Sequence, residues 1–377
     1  MTGRTAEATK RRVAVTLEQC WHRVPGGTAT SILALVDALA GRDDVEVQGV
    51  AAWHRRVPPA PFVPAVPVSM LPLPRLALYE AWHGLRAPAV QRATGPVDVI
   101  HATAVAVPPK TAPLVITVHD LAFLADASHA TRHGHRFFRR GLSLARRHAD
   151  LVLCPSAATA AECEAAGFDR DRLRVVPWGV RRAEVTPAQV ATVRRRHRLS
   201  ERYVMFTGTL EPRKNLAGLV DAFASIATAH PCVELVLIGP DGWNEDLAGR
   251  LRRANLEARA KPLGFVPDAD KWALYAGAAV FCYPSHREGF GLPVLEAMAQ
   301  GAPVVTSAGT ATEEVAGGAG LLVEPRDTPA IANALSQVLD DAELATDLSR
   351  RGRERAAAFT WEAAADATAA AYAELSP

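Results

Sequence analysis

Several features that mark particular classes of protein are scarce in this sequence. The 42 Lys and Arg residues nearly balance the 40 Asp and Glu residues, so the net charge is only +2 and the chain as a whole is not a polycation that seeks nucleic acid. No run approaches the roughly 18 uninterrupted apolar residues of a membrane span. The first apolar run, residues 13–17 behind a polar leader of residues 1–12, is too short for the core of a signal peptide. We therefore expect a soluble protein, or one at most peripheral to a membrane.

Cysteines are few and widely scattered. The five of them are odd in number, and none is spaced as CxxC or interleaved with histidines in the manner of a metal site. This pattern favours free thiols in a reducing compartment. The cytoplasm is therefore the expected location, with the inner face of a membrane as an alternative.

The sequence is rich in short apolar segments. Apolar residues make up 49% of the 377 residues and charged residues 22%, a balance typical of globular proteins with a large core. A chain of this length exceeds the size at which one core stays efficient. Apolar strands followed by polar or helical sequence recur in two series, which predicts an α/β fold with two doubly wound, mostly parallel sheets. The predicted strands are residues 13–17, 45–50, 99–101, 114–118 and 151–154 in the first series, and 203–207, 233–238, 260–263, 280–283, 303–306 and 320–323 in the second.

Two stretches interrupt this alternation. Residues 58–74 are dense in proline, which predicts an extended excursion rather than regular structure. Residues 181–202 are charged and lack a strand pattern, which makes them the best candidate for the connection between domains. We place the domains at residues 13–182 and 183–360, followed by an Ala-rich helix at 361–377.

The segment with the most chemistry is residues 283–301, a strand end, a glycine-rich turn and a helix start. Pro293 suits the first helical turn and Gly301 the C-terminal cap, so Glu296 is expected in the first turns and Glu288 in the preceding loop. Ligands of such sheets bind beyond the carboxyl ends of the strands. We therefore expect both carboxylates to face one ligand.

The groups in this segment fit two parts of one ligand. Gly289 and Gly291 permit close approach of the backbone, and the free amides of a helix start favour a phosphate. Ionised carboxylates instead suit sugar hydroxyls, because each accepts several hydrogen bonds. The alternative, an ordinary strand–turn–helix with two solvated glutamates, is less favoured.

A second strand end carries two cations. Arg213 and Lys214 follow the strand predicted at 203–207, where they are suited to clamp a departing diphosphate. The alternative is a solvated helix start, but two cations there oppose the helix dipole.

The spacing of Glu288 and Glu296 resembles a known family motif. With seven residues between them, in PSHREGFGLPVLEAMAQGAPVV, they resemble the EX7E motif of retaining GT-B glycosyltransferases of family GT4, and GTLEPRKN at 208–215 resembles that family's loop after the first donor-domain strand. The resemblance implies two Rossmann-like domains that face a central cleft. The first would bind the acceptor, the second the nucleotide sugar, and the terminal helix would return to the first.

The resemblance also implies a role for each matching residue of the second domain. Glu288 would contact the hydroxyls of the donor sugar, Glu296 the ribose, and Arg213 with Lys214 the phosphates. The expected main-chain contacts to sugar, phosphate and base are Gly208, Gly264, Phe265, Val266, Gly289, Phe290, Gly291 and Leu292.

In the first domain, His119 follows a predicted strand in VHDL and resembles the family's active-site histidine. It would donate a hydrogen bond to a donor-sugar hydroxyl or orient the acceptor; a purely structural histidine is the alternative. Gly26 and Gly27 resemble the family's glycine loop, although most such pairs are simple turns. PWGV, residues 177–180, resembles the segment near the hinge, with Trp178 where asparagine is common.

The expected reaction is a retaining hexosyl transfer without a metal ion or other cofactor, because no DxD-like cluster flanks the phosphate loop and cationic side chains are present instead. Similarity of HDL and GTLEPRKN to bacterial mannosyltransferases favours GDP-mannose as donor, with a UDP-sugar as the alternative. The acceptor is left open among a polysaccharide intermediate, a lipid-linked glycan and a small metabolite. A non-catalytic sugar-binding protein is a further alternative. A Rossmann dehydrogenase is excluded, since GxGxxG does not follow the first strand.

One basic stretch is a candidate contact for anionic lipid or an acceptor phosphate. Its arginines are spaced to form a stripe along one helix, although a solvated helix face is the favoured interpretation. They are Arg132, Arg136, Arg139, Arg140, Arg146 and Arg147.

Overall fold

The computed structural model describes residues 10–22, 26–125, 132–240, 242 and 246–375, and only the backbone of Ala125, Arg132 and His133. Most of the leader at 1–12 and part of the turn before Gly26 lie outside these residues. The chain divides into two compact units, Met1–Gly179 with Thr360–Pro377, and Val180–Phe359.

The first unit contains a seven-stranded sheet in the order β3-β2-β1-β4-β5-β6-β7, in which all described strand pairs are parallel. Its strands are β1 (Arg11–Thr16), β2 (Val45–Ala51), β3 (Val68–Met70), β4 (Val99–Ala102), β5 (Leu114–Thr117), β6 (Leu151–Cys154) and β7 (Leu173–Val175). Its helices before the crossing into the second unit are α1 (Gly26–Ala40), α2 (Arg75–Gly84), α3 (Gln91–Thr94), α4 (Ala122–Ala125), α5 (Arg132–His148) and α6 (Ala157–Ala165).

Helices cover both faces of this sheet, which explains why its central strands are continuous apolar runs. All four residues of β5 are buried. Leu114 and Ile116 belong to one apolar cluster with Trp82, whereas Val115 between them belongs to another with Leu39. This alternation follows from the period of two in a strand and places a core on each side of the sheet.

The second unit contains a six-stranded parallel sheet in the order β10-β9-β8-β11-β12-β13. Its strands are β8 (Arg202–Thr207), β9 (Val233–Ile238), β10 (Ala260–Gly264), β11 (Val280–Tyr283), β12 (Val304–Ser307) and β13 (Leu321–Val323). Its helices are α7 (Pro187–His197), α8 (Leu216–Ile226), α9 (Leu247–Arg253), α10 (Asp268–Ala276), α11 (Leu292–Gln300), α12 (Ala311–Ala316), α13 (Thr328–Asp340) and α14 (Ala342–Ala356).

Both sheets are doubly wound, as predicted. In each sheet, the order in which successive strands are added reverses between the first and fourth strands of that unit. In the first sheet this switch lies between β1 and β4, and in the second between β8 and β11. Open α/β sheets bind ligands beyond the carboxyl ends of the strands at such a switch. The loops after β8 and β11 are therefore the places to look for a site in the second unit.

The last helix, α15 (Trp361–Ala373), packs against α1 in the first unit. Small alanines on one side let it approach closely, and Ala364, Ala369 and Tyr372 are buried in the shared apolar cluster. The Tyr372 hydroxyl lies 2.7 Å from Nδ1 of the buried His101. None of the described helices has the length and apolar character that crossing a membrane requires.

One prediction about local structure is wrong, and one strand was missed. The stretch 58–74, predicted to lack regular structure, contains the edge strand β3, and β7 was not predicted at all; both have only three residues, too few for a period to show. That the charged segment 181–202 connects the domains stays a prediction, and this segment contains helix α7, which was not predicted. Thr186 and Gln189 form a capping box at its start, a signal the charge obscured.

Candidate functional site

The loop after β8 presents two cations. Gly208 has a φ of +151°, and its N–H donates to the carbonyl oxygen of Ile238 across the sheet at 2.8 Å. Arg213 and Lys214 lie in a single 3₁₀ turn. Asn215 then caps α8 by accepting the N–H of Gly218 at 3.2 Å. The loop is therefore anchored at both ends.

Glu288, from the loop after β11, meets both cations. Its Oε1 accepts from Lys214 Nζ at 2.6 Å and from Ser285 Oγ at 2.6 Å, and its Oε2 accepts from Arg213 Nη1 at 3.0 Å. Glu211 accepts from Arg213 Nε at 3.1 Å and Nη2 at 2.8 Å. The four charged side chains are between 7% and 16% exposed. Two carboxylates and two cations thus form one nearly buried cluster.

The charges in this cluster set one another's protonation. Burial alone raises the pKa of Glu288, but the positive charges of Arg213 and Lys214 outweigh it and hold that pKa at about 2. Burial and the charge of Arg213 lower the pKa of Lys214, and the Glu288 carboxylate opposes both effects. Glu288 is therefore ionised at neutral pH. It can accept hydrogen bonds but cannot act as a general acid.

The cluster keeps some capacity for a ligand. A carboxylate offers about four lone-pair sites, and Glu288 uses them for Lys214, Arg213 and Ser285 and for a hydrogen bond from the Tyr283 hydroxyl. The Lys214 ammonium has three N–H groups; among the described residues, two of them donate to Glu288 and to the Tyr283 hydroxyl, the latter at 2.6 Å. The third N–H group of this cation remains available to a ligand.

Helix α11 begins where the glycine turn predicts. Pro293 lies in its first turn, and Gly301 ends it with a φ of 77°, so both predictions are confirmed. Gly291 precedes the helix with a φ of +110°, and a Cβ there would lie 2.8 Å from Thr312 Cγ2. Because the N-cap residue Gly291 has no side chain, it forms no side-chain hydrogen bond to the first amides of this helix.

Glu296 lies further along the helix with different partners. Lys271 Nζ donates to its Oε1 at 2.9 Å, and the Tyr275 hydroxyl donates to its Oε2 at 2.9 Å. Among the described residues, neither Lys271 nor Tyr275 forms a hydrogen bond or an ion pair with Glu288. That Glu288 and Glu296 face one ligand stays a prediction.

The loop after β10 has an open turn. Gly264 has a φ of +63°, and no described atom lies within 4 Å of the position a Cβ would take. Its carbonyl accepts from the Gly239 N–H at 2.8 Å. Phe265 is 78% exposed and Val266 is buried. An exposed aromatic ring beside an unobstructed glycine suits a flat ligand group such as a base.

In the first unit, His119 lies two residues after the end of β5, directly after Val118. Its Nε2 lies 2.7 Å from the Thr103 carbonyl oxygen, which can only accept, so Nε2 carries a proton. Nδ1 is buried without a partner among the described residues. Burial lowers the pKa of His119 and the Thr103 carbonyl opposes this, so the ring is neutral and Nδ1 is an acceptor. Of the two expected roles, this tautomer allows Nδ1 to orient a hydroxyl by accepting a hydrogen bond from it, and does not allow Nδ1 to donate one.

Two further predicted features of the first unit have simple surroundings. The His119 ring lies 5.3 Å from the Trp178 ring, tilted by 55°, so the unusual tryptophan is a neighbour of the histidine. Gly26 and Gly27 start α1 and are exposed, with no described atom within 4 Å of a Cβ at either position. That these glycines contact the donor or the acceptor stays a prediction.

Sequence reasoning missed several residues that hold the site. Glu211 lies two residues before Arg213, where its charge was a usable signal. Lys271 and Tyr275 lie four residues apart on α10, which places them on one helix face, but no local pattern indicates that this face meets Glu296. Tyr283 and Ser285 lie within the segment 283–301 but were given no role.

The predicted basic stripe lies on α5. Phe137, Phe138 and Leu142 pack toward the core on one side. The exposed arginines on the other side are Arg136, Arg139, Arg140, Arg146 and Arg147. Arg140 Nη1 lies 3.9 Å from Glu80, and Arg146 Nε donates to the Gly167 carbonyl at 3.0 Å. The side chain of Arg132 lies outside the described part of the chain.

Comparison with known proteins matches both halves of the chain. Residues 25–184 match the family described as Glycosyltransferase Family 4, and residues 191–355 match Glycosyl transferases group 1. The chain is similar to O-antigen chain mannosyltransferase B of Escherichia coli, 34% identical over 264 residues that cover 68% of this chain and 69% of that protein. It is also similar to D-inositol 3-phosphate glycosyltransferase of Geodermatophilus obscurus, 34% identical over 282 residues that cover 69% of this chain and 61% of that protein. Among solved structures, Anabaena HepE in complex with UDP and glucose has a TM-score of 0.75 at 21% identity, covering 97% of this chain and 100% of that one.

Proposed function

The chain belongs to the glycosyltransferases of group 1 and family 4, and we propose that it transfers a hexose from a nucleoside-diphosphate sugar to a hydroxyl acceptor with retention of configuration. That it is a glycosyltransferase with two Rossmann-like sheets follows from these matches and the strand orders. The donor, the acceptor and the stereochemistry are the content of the proposal.

The observation that carries the proposal is the cluster of Glu288, Arg213 and Lys214. It combines an ionised carboxylate that accepts from hydroxyls with cations that stabilise a diphosphate. Keeping these charges away from water costs several kcal/mol per ion, so a purely stabilising role is a poor explanation. A ligand with a polyol and a diphosphate uses both halves of the cluster.

In the proposed step, the bond between the anomeric carbon and the phosphate oxygen breaks, and its electron pair leaves with the nucleoside diphosphate. The acceptor oxygen bonds to the anomeric carbon from the same face, and its proton passes to a departing phosphate oxygen. Arg213, Lys214 and the amides at the start of α11 stabilise the charge that develops on that diphosphate. These cations also supply the charge a metal ion would bring, so we propose a metal-independent reaction.

His119 has a supporting part in this proposal. Its unpartnered Nδ1 is an acceptor in the neutral ring, suited to a hydroxyl of the donor sugar or the acceptor. The Thr103 carbonyl oxygen fixes the tautomer by accepting a hydrogen bond from Nε2–H.

GDP-mannose is the favoured donor, because O-antigen chain mannosyltransferase B covers most of the chain at 34% identity. A UDP-sugar is the alternative, supported by the fold of HepE, which was solved with UDP and glucose. Backbone at Gly264 and the exposed ring of Phe265 are proposed to meet the base, and such contacts discriminate bases poorly.

The acceptor is proposed to be a hydroxyl of a glycan, glycolipid or small metabolite, reached in the cytoplasm or at the inner face of the membrane. The exposed arginines of α5 support the membrane alternative, because juxtaposed Lys and Arg residues each gain about 1 kcal/mol beside anionic lipid. The apolar side of α5 is packed into the core. Such a contact would therefore be electrostatic, without insertion.

A donor panel tests the proposed function. Thermal shift and transfer or hydrolysis are measured with GDP-, UDP-, dTDP- and ADP-sugars, and the anomeric configuration of the product is read by NMR. We expect stabilisation and turnover with GDP-mannose, and a product that keeps the configuration. Preference for a UDP-sugar would replace the donor, inversion would overturn the mechanism, and binding without turnover would favour a sugar-binding protein. No binding of any donor would contradict the proposal as a whole.

A further inference from the structure

The carboxylate of Glu296 is held at both oxygens by one face of the neighbouring helix. Lys271 and Tyr275, four residues apart on α10, each donate to a different oxygen of that carboxylate, both at 2.9 Å. Two donors on separate oxygens fix the plane of the group as well as its position. One lone pair per oxygen stays available, since an ionised carboxylate has about four acceptor sites.

The Lys271 ammonium is itself fixed on several sides. Its Nζ lies 3.6 Å from Asp268 Oδ1 and 4.8 Å from the centre of the Trp272 ring, in addition to its contact with Glu296. Burial alone lowers the pKa of Lys271, but the charges of Glu296 and Asp268 outweigh it and raise that pKa. Lys271 therefore stays charged at neutral pH, and its position is determined before any ligand arrives.

Tyr275 is the second donor to the Glu296 carboxylate. It is fully buried, and burial followed by the Glu296 charge raises the pKa of its phenol well above the usual value. It therefore stays protonated and donates. Glu296 keeps 14% of its side chain exposed and Lys271 keeps 18%, so the carboxylate is rigidly held yet open on one side.

We propose that Lys271 and Tyr275 are positioning residues of the nucleotide site, which orient Glu296 so that its two remaining lone pairs accept the 2′- and 3′-hydroxyls of the donor's ribose. This rests on the proposed function and on the contact with the ribose that the family resemblance implies for Glu296. A vicinal diol offers two O–H groups side by side, and a carboxylate of fixed plane takes both at once. A carboxylate free to rotate would lose that pairing while the helices stay packed.

The competing explanation is that the contacts only join α10 to α11. The two explanations differ in one readout, the discrimination between a ribonucleotide and its deoxy analogues. Loss of helix packing weakens all nucleotides alike, whereas loss of orientation weakens only those that have the hydroxyls.

The experiment measures dissociation constants by calorimetry for GDP and UDP and for their 2′-deoxy and 3′-deoxy forms. The proteins are the unmodified chain, Lys271→Met, Tyr275→Phe and Lys271→Arg. The matched control is Lys261→Met, which removes another lysine whose Nζ lies 3.5 Å from a carboxylate, Glu234, in the same unit. Tyr275→Phe removes one oxygen atom only, so it preserves the packing of the ring.

For the unmodified chain and the control, we expect each deoxy analogue to bind at least about tenfold more weakly than the ribonucleotide, as for a hydrogen bond to a charged group. In Lys271→Met and Tyr275→Phe this ratio falls toward one through weaker ribonucleotide binding, and Lys271→Arg restores part of it. An unchanged ratio in both variants overturns the inference, whatever the effect on melting temperature. Equal binding of ribo- and deoxynucleotides by the unmodified chain overturns the inference and leaves the proposed function standing. Absence of binding by any nucleotide overturns both.

Discussion

Lys214 Nζ and Glu288 Oε1 are 2.6 Å apart in surroundings that leave their side chains only 11% and 8% exposed. The two residues come from loops that follow β8 and β11. These are the neighbouring strands between which the strand order of the second sheet reverses. The pairing is therefore a product of the sheet topology. It places a cation and an anion at the point where this type of sheet binds ligands.

Lys214→Met tests this pairing. Because the ammonium is proposed to stabilise the departing diphosphate, we expect kcat to fall by about 100-fold or more, the usual cost of removing one donor to a developing anion. Glu288 keeps its bonds to Arg213 and Ser285, so circular dichroism should still show a folded protein. Steady-state kinetics with the donor found by the panel give the measurement, and Lys261→Met is the control. Unchanged kcat would remove Lys214 from the mechanism.

Glu211 gives a second test, through Arg213. It holds Nε and Nη2 of that guanidinium, and Glu211→Gln removes the negative charge while keeping the shape. With more net positive charge in the cluster, we expect the nucleoside diphosphate to bind more tightly. With Arg213 less well oriented, we expect kcat to fall by about tenfold. Product inhibition and kcat are measured together, and weaker inhibition with normal kcat would show that Glu211 has no such role.

Much of this site follows from local sequence, and the parts that do not are long-range. The strands that carry the site, the turn at Gly291 and the helix Leu292–Gln300 were predictable because strand patterns, prolines and glycines act within a few residues. The ion pair between Lys271 and Glu296 was not predictable, because it forms only when two helices separated in sequence pack together. The tautomer of His119 depended likewise on the carbonyl of Thr103, 16 residues away, for which a sequence holds no signal.

From the surroundings of His101 we predict how the stability of the first unit depends on pH. His101 is fully buried, with Nδ1 2.7 Å from the Tyr372 hydroxyl and Nε2 2.8 Å from Thr117 Oγ1. Burial lowers its pKa to about 3. In the unfolded chain a histidine titrates near pH 6.5. The unfolded state therefore takes up a proton first, and the free energy of unfolding falls as pH drops from about 6.5 toward 3.

The measurement is urea unfolding of the chain and of His101→Gln between pH 8 and pH 4. At pH 8 the difference gives the cost of the lost hydrogen bonds, on the order of 1 to 3 kcal/mol. As pH falls, we expect the unmodified chain to lose more stability than the variant, so the two curves converge. Parallel curves would mean that His101 does not carry the pH dependence.

Metal independence is tested by chelation. Because Arg213 and Lys214 are proposed to supply the positive charge at the diphosphate, activity should survive dialysis against EDTA and should not rise when Mg²⁺ or Mn²⁺ is returned. The matched sample is the same protein dialysed without chelator. A loss of activity restored by either ion would assign part of the charge stabilisation to a metal.

The membrane alternative predicts a salt-sensitive attraction of the α5 arginines to anionic membranes. The triple change of Arg136, Arg139 and Arg147 to Gln removes three exposed charges, each worth about 1 kcal/mol beside anionic lipid, so binding should weaken by about 100-fold. The control changes Arg252, Arg253 and Arg326, exposed residues of the other unit, to Gln, with the same loss of charge. Flotation with vesicles of phosphatidylcholine and phosphatidylglycerol at low salt gives the affinity. Near 1 M salt, where the screening length is about 3 Å, binding should vanish, and pure phosphatidylcholine should not bind at any salt because the apolar side of α5 is in the core. If both triple variants bind equally well, the stripe is a solvated helix face.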